Sequence, residues 1–351
     1  MKLLVPVRRS VKRMRAYHPP LEGRAGKLRL DFNENTMGCS PGVRRALARL
    51  SRDQVAMYPE YETAERRLTR FFQVRPGELL LTNGTDDALH LVVDTFVAAG
   101  SAVLLVEPTF AMYRFYAELA GARILSLRYD GAMRFPLEEV LRVLRRRPRV
   151  FFLANPNNPT GTLVPRATLE QILRVAPYTL VVVDEAYCEF SGVTVLPGIR
   201  QHSNLIVTRT FSKAAGLAGL RVGCLFACRG LADVLRRAHS PYPVSSAALV
   251  AAAAATRDAA YIRRYARGVA RSRWKLERAL AGLGIRAFPS AANFILADFG
   301  RRAPGLLRRL RRRGILLRDR QSDFGPVGHV RITIGTPAQV RRLIRALERL
   351  W

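Results

Sequence analysis

Short apolar runs alternate with helix-length segments through much of this 351-residue chain. The apolar runs lie at 78–82, 102–106, 123–127, 150–153, 180–183 and 205–207. Helical patterns lie between several of them, at 88–97, 113–120 and 136–147. Runs this short and apolar are typical of strands buried on both faces, and their alternation with helices favours parallel pairing. The sequence therefore predicts an α/β fold built on a mostly parallel, doubly wound sheet.

The remainder of the chain has a different pattern and indicates a second domain. Ser240-Pro241-Tyr242-Pro243 breaks the chain before a long helical stretch, about 245–283, which we expect to be bent or interrupted. Strands are predicted at 294–297, 315–317 and 330–334, and helices at 304–313 and 337–350. We predict an N-terminal arm (1–30), a large domain (31–240) and a smaller α+β domain (241–351). Residues near 31–40 are candidates to pack against the small domain.

The charge of the chain is unusual, at a net +31. Five of its 58 basic residues are lysines, so 53 are arginines. The arginine clusters at 145–149 and 308–313 have no interleaved aromatic residues, and other arginines are spread over every segment. The composition therefore predicts no more than non-specific attraction to nucleic acids. A dedicated nucleic-acid-binding protein is the remote alternative.

Membrane and metal signals are weak in this sequence. No apolar run reaches the roughly 18 residues of a membrane span, and no apolar segment follows the basic N-terminal residues as it would in a signal peptide. Cys39, Cys188, Cys224 and Cys228 form no CxxC pair and have no histidine at zinc spacing. We therefore expect a cytoplasmic protein with no membrane segment and no metal, whose cysteines stay reduced.

One of the few lysines, Lys213, follows the strand predicted at 205–207. Arginine cannot form an imine, whereas a desolvated lysine amine can attack a carbonyl. Ser212 and Arg221 supply a hydroxyl and a forked guanidinium near the lysine, and these groups suit a phosphate. The segment favours covalent chemistry on a carbonyl, with a surface lysine as the simpler alternative. The apolar run at 221–227 is expected to return as an antiparallel strand.

Two further loops lie where a parallel sheet binds ligands. The sequence Asn-Gly-Thr-Asp-Asp at 83–87 separates a strand from a helix, a geometry that points backbone N–H groups at an anion. Its acidic residues equally suit the first turn of a helix. The sequence Asn-Pro-Asn-Asn-Pro-Thr-Gly at 155–161 turns sharply after the strand at 150–153. Open α/β sheets bind ligands at this end of their strands.

Together these segments resemble the pyridoxal-phosphate (PLP) aminotransferases of fold type I. The segment RTFSKAAGLAGLR at 209–221 looks most like the histidinol-phosphate aminotransferase branch, and YPE, NGTDD, NPNNPTG and DEAY precede it in the expected order. The resemblance extends from residue 17 to residue 336. It implies the PLP-dependent transferase fold type I and PLP as cofactor. It also implies a homodimer with shared active sites that moves an amino group from a small-molecule donor to a 2-oxoacid.

The resemblance also assigns roles by position within the motifs. Lys213 would form the Schiff base and act as general acid and base. Contacts to the cofactor phosphate are implied for Gly84, Thr85, Asp86, Thr210, Ser212, Arg221 and, from the neighbouring subunit, Tyr58. Contacts to the cofactor ring are implied for Phe110, Asn158, Asp184 and Tyr187, with Asp184 at the pyridinium nitrogen. Substrate contacts are implied for Tyr17, Asn33, Arg318 and Arg331.

The chain departs from the close relatives at Phe110, where they carry tyrosine, so stacking is kept and any role of a hydroxyl is lost. The resemblance puts the Asn-Glu-Asn sequence at 33–35 at the mouth of the active site, but the preference of these residues for turns explains it equally well. The favoured reaction is L-histidinol phosphate plus 2-oxoglutarate to imidazole acetol phosphate plus L-glutamate, a step of histidine biosynthesis. An aromatic amino-acid aminotransferase, a threonine-phosphate decarboxylase and a PLP-binding protein without turnover stay open as alternatives.

Overall fold

The computed structural model describes residues 5–14, 16, 22–325 and 328–351. The strands are β1 (Leu28–Leu30), β2 (Leu79–Thr82), β3 (Ala102–Glu107), β4 (Arg123–Arg128), β5 (Val150–Ala154), β6 (Leu180–Asp184), β7 (Leu205–Thr210), β8 (Gly223–Ala227), β9 (Arg286–Ala287), β10 (Phe294–Asp298), β11 (Ile315–Asp319) and β12 (His329–Thr333). The helices are α1 (Arg9–Arg13), α2 (Pro41–Leu47), α3 (Arg52–Ala56), α4 (Glu62–Phe72), α5 (Gly84–Phe96), α6 (Ala111–Leu119), α7 (Leu137–Leu144), α8 (Arg166–Val175), α9 (Cys188–Ser191), α10 (Arg229–Ala238), α11 (Ser246–Arg257), α12 (Ala259–Gly282), α13 (Ala303–Arg312), α14 (Gln321–Phe324) and α15 (Pro337–Leu350).

The larger sheet has seven strands in the order β2-β8-β7-β6-β5-β3-β4. Strands β3 to β7 pair in parallel. Strand β8 runs antiparallel to both β7 and β2. The prediction of a mostly parallel sheet with an antiparallel return strand is therefore confirmed.

Both faces of the larger sheet are covered, which explains its continuous apolar runs. Successive residues of β5 enter different cores: Phe151 packs in the cluster with residues of α7, α8 and α11, and Phe152 in the cluster with residues of α5, α6 and α10. All five residues of β5 and of β6 are buried. Helices on both faces make this a doubly wound sheet, as predicted.

The smaller sheet has five strands in the order β1-β11-β12-β10-β9. One face packs against α12, α13 and α15 in its own apolar core. On the other face, Leu296 joins a core of the larger sheet, and Phe294 meets the ring of Tyr187 edge-on at 5.2 Å between centroids. The second face is therefore turned toward the carboxyl end of β6. The site lies between the two sheets.

Most of the predicted helices are present in the structure, and several further helices were not predicted. The long helix predicted at 245–283 is interrupted, as expected: α11 ends at Arg257, and Asp258 separates it from α12. The Ser245 hydroxyl begins α11 by accepting a hydrogen bond from the Ala248 N–H. Helices α1, α3, α8, α9, α10 and α14 were not predicted. Four of them have only four or five residues. In α8 and α10 only a narrow apolar stripe marks the helix.

The division of the chain near residue 240 stays a prediction. Strand β1 pairs in parallel with β11 of the smaller sheet, whereas α11 packs against α2 and α4 beside the larger sheet. Within the described ranges, none of the helices combines the length and the apolar character that crossing a bilayer requires. Those ranges also hold no cluster of three metal-ligating side chains.

Candidate active site

Four of the predicted motif segments meet at one edge of the larger sheet. Because β3, β5, β6 and β7 run parallel, the chain leaves all four strands on the same side. Phe110, Asn158, Asp184 and Lys213 lie at or just beyond these strand ends. The topology alone therefore brings together residues that are far apart in sequence, as expected for an open α/β sheet.

A cup of polar groups forms where α5 begins. Gly84 is the first residue of α5 and has φ +71°, a conformation that favours glycine. A Cβ at this position would come within 2.6 Å of Nη2 of Arg221. The Arg221 guanidinium donates to Oδ2 of Asp86 at 3.0 Å and to the Ser212 hydroxyl at 3.5 Å. The glycine thus leaves room for the guanidinium to lie directly against the helix N-terminus.

The same cup holds hydroxyls that an anion could use. The Thr85 hydroxyl is buried and has no hydrogen-bond partner among the described residues. The Thr210 hydroxyl accepts a hydrogen bond from the Ser212 N–H at 3.0 Å. Unpaired N–H groups at a helix N-terminus, a free buried hydroxyl and a nearby guanidinium together fit a phosphate group. The structure therefore brings together the six phosphate contacts that were predicted within one chain.

Asp184 ends β6 as a buried carboxylate that has no ion-pair partner among the described residues. Its Oδ2 accepts from the Tyr113 hydroxyl at 2.8 Å, and its Oδ1 accepts from the Thr208 hydroxyl and the Ala186 N–H, each at 3.1 Å. Burial raises the pKa of Asp184 to about 6, against the opposing effect of these donors. A carboxylate held this way fits a cationic ring nitrogen, which would relieve the cost of its burial.

Tyr113 is a site residue that the sequence did not reveal. Its side chain is fully buried, and its ring stacks on Phe152 at 5.3 Å between centroids with 4° between the planes. Burial, followed by the charge of Asp184, raises the pKa of its hydroxyl, which stays protonated as a donor. Phe110 meets the Tyr113 ring edge-on at 5.6 Å. Tyr113 lies in the first turn of α6, and the one sequence signal for it is its position three residues after Phe110.

Lys213 lies beside the first loop of the chain. Its Nζ donates to the backbone carbonyl of Phe32 at 3.2 Å and lies 6.0 Å from the centre of the Tyr187 ring. The Tyr187 hydroxyl accepts from the Asn33 side-chain amide at 2.9 Å. Asn33 has φ +56° and bonds to Thr333 through both its N–H and its Oδ1. The amine is thus held near a tyrosine by neutral groups.

Arg331 enters the site from β12 of the smaller sheet. Its guanidinium donates to Oδ1 of Asn158 at 2.5 Å and to the backbone carbonyl of Asp31 at 2.6 Å. Burial lowers the pKa of Arg331 to about 10, and the charges of Arg320 and Arg318 act in the same direction. Arg331 has no carboxylate partner among the ion pairs of the described residues, so its charge is available to an anion.

The remaining predicted contacts are Arg318, Tyr58 and Tyr17. Arg318, which was predicted to contact the substrate, packs its guanidinium on the Phe32 ring at 5.5 Å. Tyr58 is 77% exposed and stacks on Tyr242 at 4.4 Å, on the surface of the chain. Tyr17 lies outside the described residues. The roles predicted for all of these residues stay predictions.

The comparisons with known proteins agree with this geometry. The model of the family "Aminotransferase class I and II" matches residues 25–347. The chain belongs to the class I and II aminotransferase family. The enzyme class and the reaction type predicted from the motifs are therefore confirmed. The matched range of this aminotransferase includes every described site residue named above.

Individual relatives of this aminotransferase are similar over nearly their whole length. The chain is 37% identical to the histidinol-phosphate aminotransferase of Symbiobacterium thermophilum, covering 97% of this chain and 98% of the relative. It superposes on the histidinol-phosphate aminotransferase of Sinorhizobium meliloti, solved in complex with pyridoxal-5'-phosphate, with a TM-score of 0.84 and 27% identity over 92% of this chain and 90% of that one. L-threonine-O-3-phosphate decarboxylase of Porphyromonas gingivalis superposes with a TM-score of 0.81 and 26% identity, over 92% and 98%.

Proposed function

We propose that this aminotransferase uses PLP to transfer the amino group of L-histidinol phosphate to 2-oxoglutarate. Membership of the aminotransferase family and the PLP in the Sinorhizobium meliloti structure support the cofactor. The Symbiobacterium thermophilum relative, at 37% identity, supports the amino donor. The observation that carries the proposal is a phosphate cup beside Lys213, together with the buried guanidinium of Arg331, which has no carboxylate partner among the described residues.

The residues that would hold the cofactor divide into two groups. Gly84, Thr85, Ser212 and Arg221 form the cup for its phosphate. Asp184 would face the ring nitrogen and keep a proton on it, because a buried carboxylate stabilises a nearby cation strongly. When bound, PLP supplies an electron sink for the electron pair that is left when the donor's Cα–H bond breaks.

Lys213 would carry the proton in this reaction. A primary amine can take the proton from the donor Cα and return it to the cofactor carbon on the other side of the amino nitrogen, provided it is within reach of both atoms. The Phe32 carbonyl and the Tyr187 ring place Nζ between the two sheets. The Tyr187 hydroxyl and the Asn158 amide would contact the phenolic oxygen of the cofactor. Among the described residues, Asn33 hydrogen-bonds to the Tyr187 hydroxyl and Arg331 to the Asn158 side chain, and each bond orients the group.

The donor phosphate would lie against Arg331 and Arg318. Arg331 is buried, and in the described residues only neutral acceptors contact it. Histidinol phosphate has no carboxylate, so its phosphate would take the place that a carboxylate occupies in an amino-acid donor. A buried cation contributes most to binding when an anion removes the cost of its desolvation. Tyr17 and Asn33 are the further contacts that we propose for this donor.

A homodimer would complete the site. Val55, Met57, Tyr58 and Tyr242 are exposed on one surface. A cleft of about 460 Å³ lies there between residues 53–64 and 246–253. Exposed apolar patches of this kind mark association surfaces, and two copies would place Tyr58 against the partner's phosphate cup. The four unpaired cysteines support a reducing, cytoplasmic location.

A second candidate is supported by the Porphyromonas gingivalis decarboxylase, which has the same fold. Both candidates act on phosphate esters, so the arginines do not separate them. Threonine phosphate carries a carboxylate that histidinol phosphate lacks. An aromatic amino-acid donor carries a carboxylate and no phosphate.

Turnover with each donor tests the proposal. PLP-loaded protein is incubated with 2-oxoglutarate and L-histidinol phosphate, L-phenylalanine or O-phospho-L-threonine, and glutamate and carbon dioxide are measured. The proposal predicts glutamate formation with the highest kcat/KM for histidinol phosphate, and no carbon dioxide. If the protein releases carbon dioxide from O-phospho-L-threonine and forms no glutamate with histidinol phosphate, the proposed transamination is wrong and the decarboxylase function is favoured.

A further inference from the structure

One face of the smaller sheet carries three arginines, one more than the motifs indicate. Arg318 of β11 lies directly opposite Arg331 of β12. Two residues further on, the Arg320 N–H donates to the His329 carbonyl at 3.0 Å, so the ladder continues to this position. Because side chains alternate between faces with a period of two, all three arginines extend from the same face. That face is the one turned toward Lys213.

These arginines form a concentrated positive site. Arg331 is buried, and its Nε has no hydrogen-bond partner among the described residues. Burial lowers the pKa of Arg331, and Arg320 is the charge that lowers it most, ahead of Arg318. Arg320 is only 12% exposed, and the Asp323 carboxylate of α14 pairs with its guanidinium. Asp323 thus holds Arg320 in place on this face.

The local charges can be counted from these contacts. Three guanidinium groups and the Asp323 carboxylate leave a net charge of +2 on the arginine face. Burial lowers the pKa of His329, so its imidazole adds no charge at neutral pH. A phosphate monoester above its second pKa of about 6 carries close to two negative charges, and a carboxylate carries one. The face matches the charge of the phosphate.

The other described charged groups nearby are either paired or exposed to solvent. Arg24 pairs with Asp31 and Glu34, and Glu34 also pairs with Arg29. This cluster of two arginines and two carboxylates has no net charge.

On the far side of His329, Asp298 raises the histidine pKa and Arg286 lowers it. Asp319 and Arg128 also lie near this face, but both are exposed to solvent. Among the described residues, the excess positive charge that is shielded from solvent therefore belongs to the three arginines.

We propose that Arg320 is a specificity-determining residue, the third cation of a site that selects a donor with a dianionic phosphate over one with a carboxylate. With Arg318 and Arg331 alone, the Asp323 charge would leave a net +1, which suits a carboxylate as well as a phosphate. The proposal rests on the proposed function, because it names the feature by which that site recognises its donor. It adds a residue that the motif comparison does not select.

The preference for phosphate over carboxylate can be measured without catalysis, by the binding of small anions. PLP-loaded protein, in which the cofactor fills the phosphate cup, is titrated with inorganic phosphate and with acetate by calorimetry at pH about 8 and about 5.5, on either side of the phosphate pKa. Arg320→Gln is expected to weaken phosphate binding at the higher pH by about 10- to 100-fold, the range for a lost charge-assisted hydrogen bond. Acetate binding should change by less than about threefold. The exposed Arg308→Gln of α13 is the matched control and should change neither.

Arg320→Lys keeps the charge and serves as the conservative variant. It should retain phosphate binding within about tenfold of the parent, since a point charge replaces the fork. Equal losses of phosphate and acetate binding in Arg320→Gln, or no loss of phosphate binding, would overturn the role of Arg320. A parent protein that prefers phosphate through Arg320 yet fails to transaminate histidinol phosphate would refute the proposed reaction and leave the Arg320 assignment standing.

Discussion

The site contains two buried charges from different sheets, Asp184 from the larger sheet and Arg331 from the smaller one. Each is held by neutral dipoles: hydroxyls and an N–H for the carboxylate, an amide and a carbonyl for the guanidinium. They differ in how close their pKa lies to neutral pH, at about 6 for Asp184 and about 10 for Arg331. The carboxylate can therefore lose its charge by binding a proton near neutral pH, whereas the guanidinium stays charged. Of these two protein groups, only the one at the cofactor end of the site should therefore respond to pH near neutrality.

The largest effect should come from Asp184→Asn. The amide keeps the size of the side chain and can accept from Tyr113, but it cannot stabilise a cationic ring nitrogen. Truncation of one partner of a buried charge pair corresponds to a fall of about 100- to 1000-fold in kcat/KM. Steady-state kinetics of the PLP-loaded variant with histidinol phosphate measure this. If the variant keeps kcat/KM within about tenfold of the parent, Asp184 does not stabilise the ring nitrogen.

The same variant tests the sign of the pKa shift in the cofactor-free protein. A carboxyl group usually has a pKa of about 3.9, and in the folded protein that of Asp184 is raised to about 6. The folded state thus binds the proton more tightly, so this contribution to stability is present below pH about 4 and is lost as the pH rises through about 6. Asp184→Asn should raise the free energy of unfolding by about 2 kcal/mol at pH about 8 and leave it unchanged near pH 4. Urea denaturation at both pH values measures the difference, and identical curves for parent and variant would contradict the shift.

Arg331→Gln should affect binding more than stability. We expect kcat/KM for histidinol phosphate to fall about 100-fold, mainly through KM, because a buried cation that faces the donor anion is lost. The free energy of unfolding should fall by less than about 1 kcal/mol or rise, since the cost of desolvating the cation disappears with it. Steady-state kinetics measure the effect on donor binding, and urea denaturation of the same preparation measures the effect on stability. A large loss of stability without a change in KM would make Arg331 structural.

A smaller effect is expected for Tyr113→Phe, which removes one hydroxyl and keeps the stacked ring. Without this donor the pKa of Asp184 should rise further, so a larger fraction of the carboxyl is neutral at pH 7. PLP affinity should fall about fivefold to tenfold, as for one lost hydrogen bond to a charged group. The loss should shrink as the pH rises, and equilibrium dialysis of PLP across the pH range measures it. A loss that is equal at every pH would reduce Tyr113 to a packing residue.

Local sequence signals mark the cofactor end of the proposed site more clearly than its substrate end. Apolar strands and Asn-Pro or glycine loops are local signals, and parallel topology then brings Gly84, Asn158, Asp184 and Lys213 together. Tyr113 was missed because its role depends on a hydrogen bond to a residue 71 positions away, and nothing in its neighbours marks it as polar or catalytic. Its position three residues after Phe110 would identify Tyr113 as a site residue only if its contact with Asp184 were already known.

The substrate end depends on a sheet register that the sequence does not show. The motifs selected Arg318 and Arg331 among 53 arginines, and the pairing of β11 with β12 then adds Arg320 to the same face. The sequence did not single out Arg320, because arginine is so frequent in this chain that one more gives no sign of a function. Tyr58 illustrates another limit, since its proposed contact lies in a second subunit, whereas one chain shows it only as an exposed ring stacked on Tyr242.

The most direct test of the account is the absorption spectrum of PLP-loaded protein before and after addition of L-histidinol phosphate, without a 2-oxoacid, for the parent and for Lys213→Ala. In the parent, the visible band of the bound cofactor should give way to that of its aminated form within one turnover, and 2-oxoglutarate should restore it. In Lys213→Ala, which lacks the amine that attaches the cofactor and moves the proton, the conversion should slow by at least about 10⁴-fold. Conversion by the variant at the parental rate would contradict the central role of Lys213.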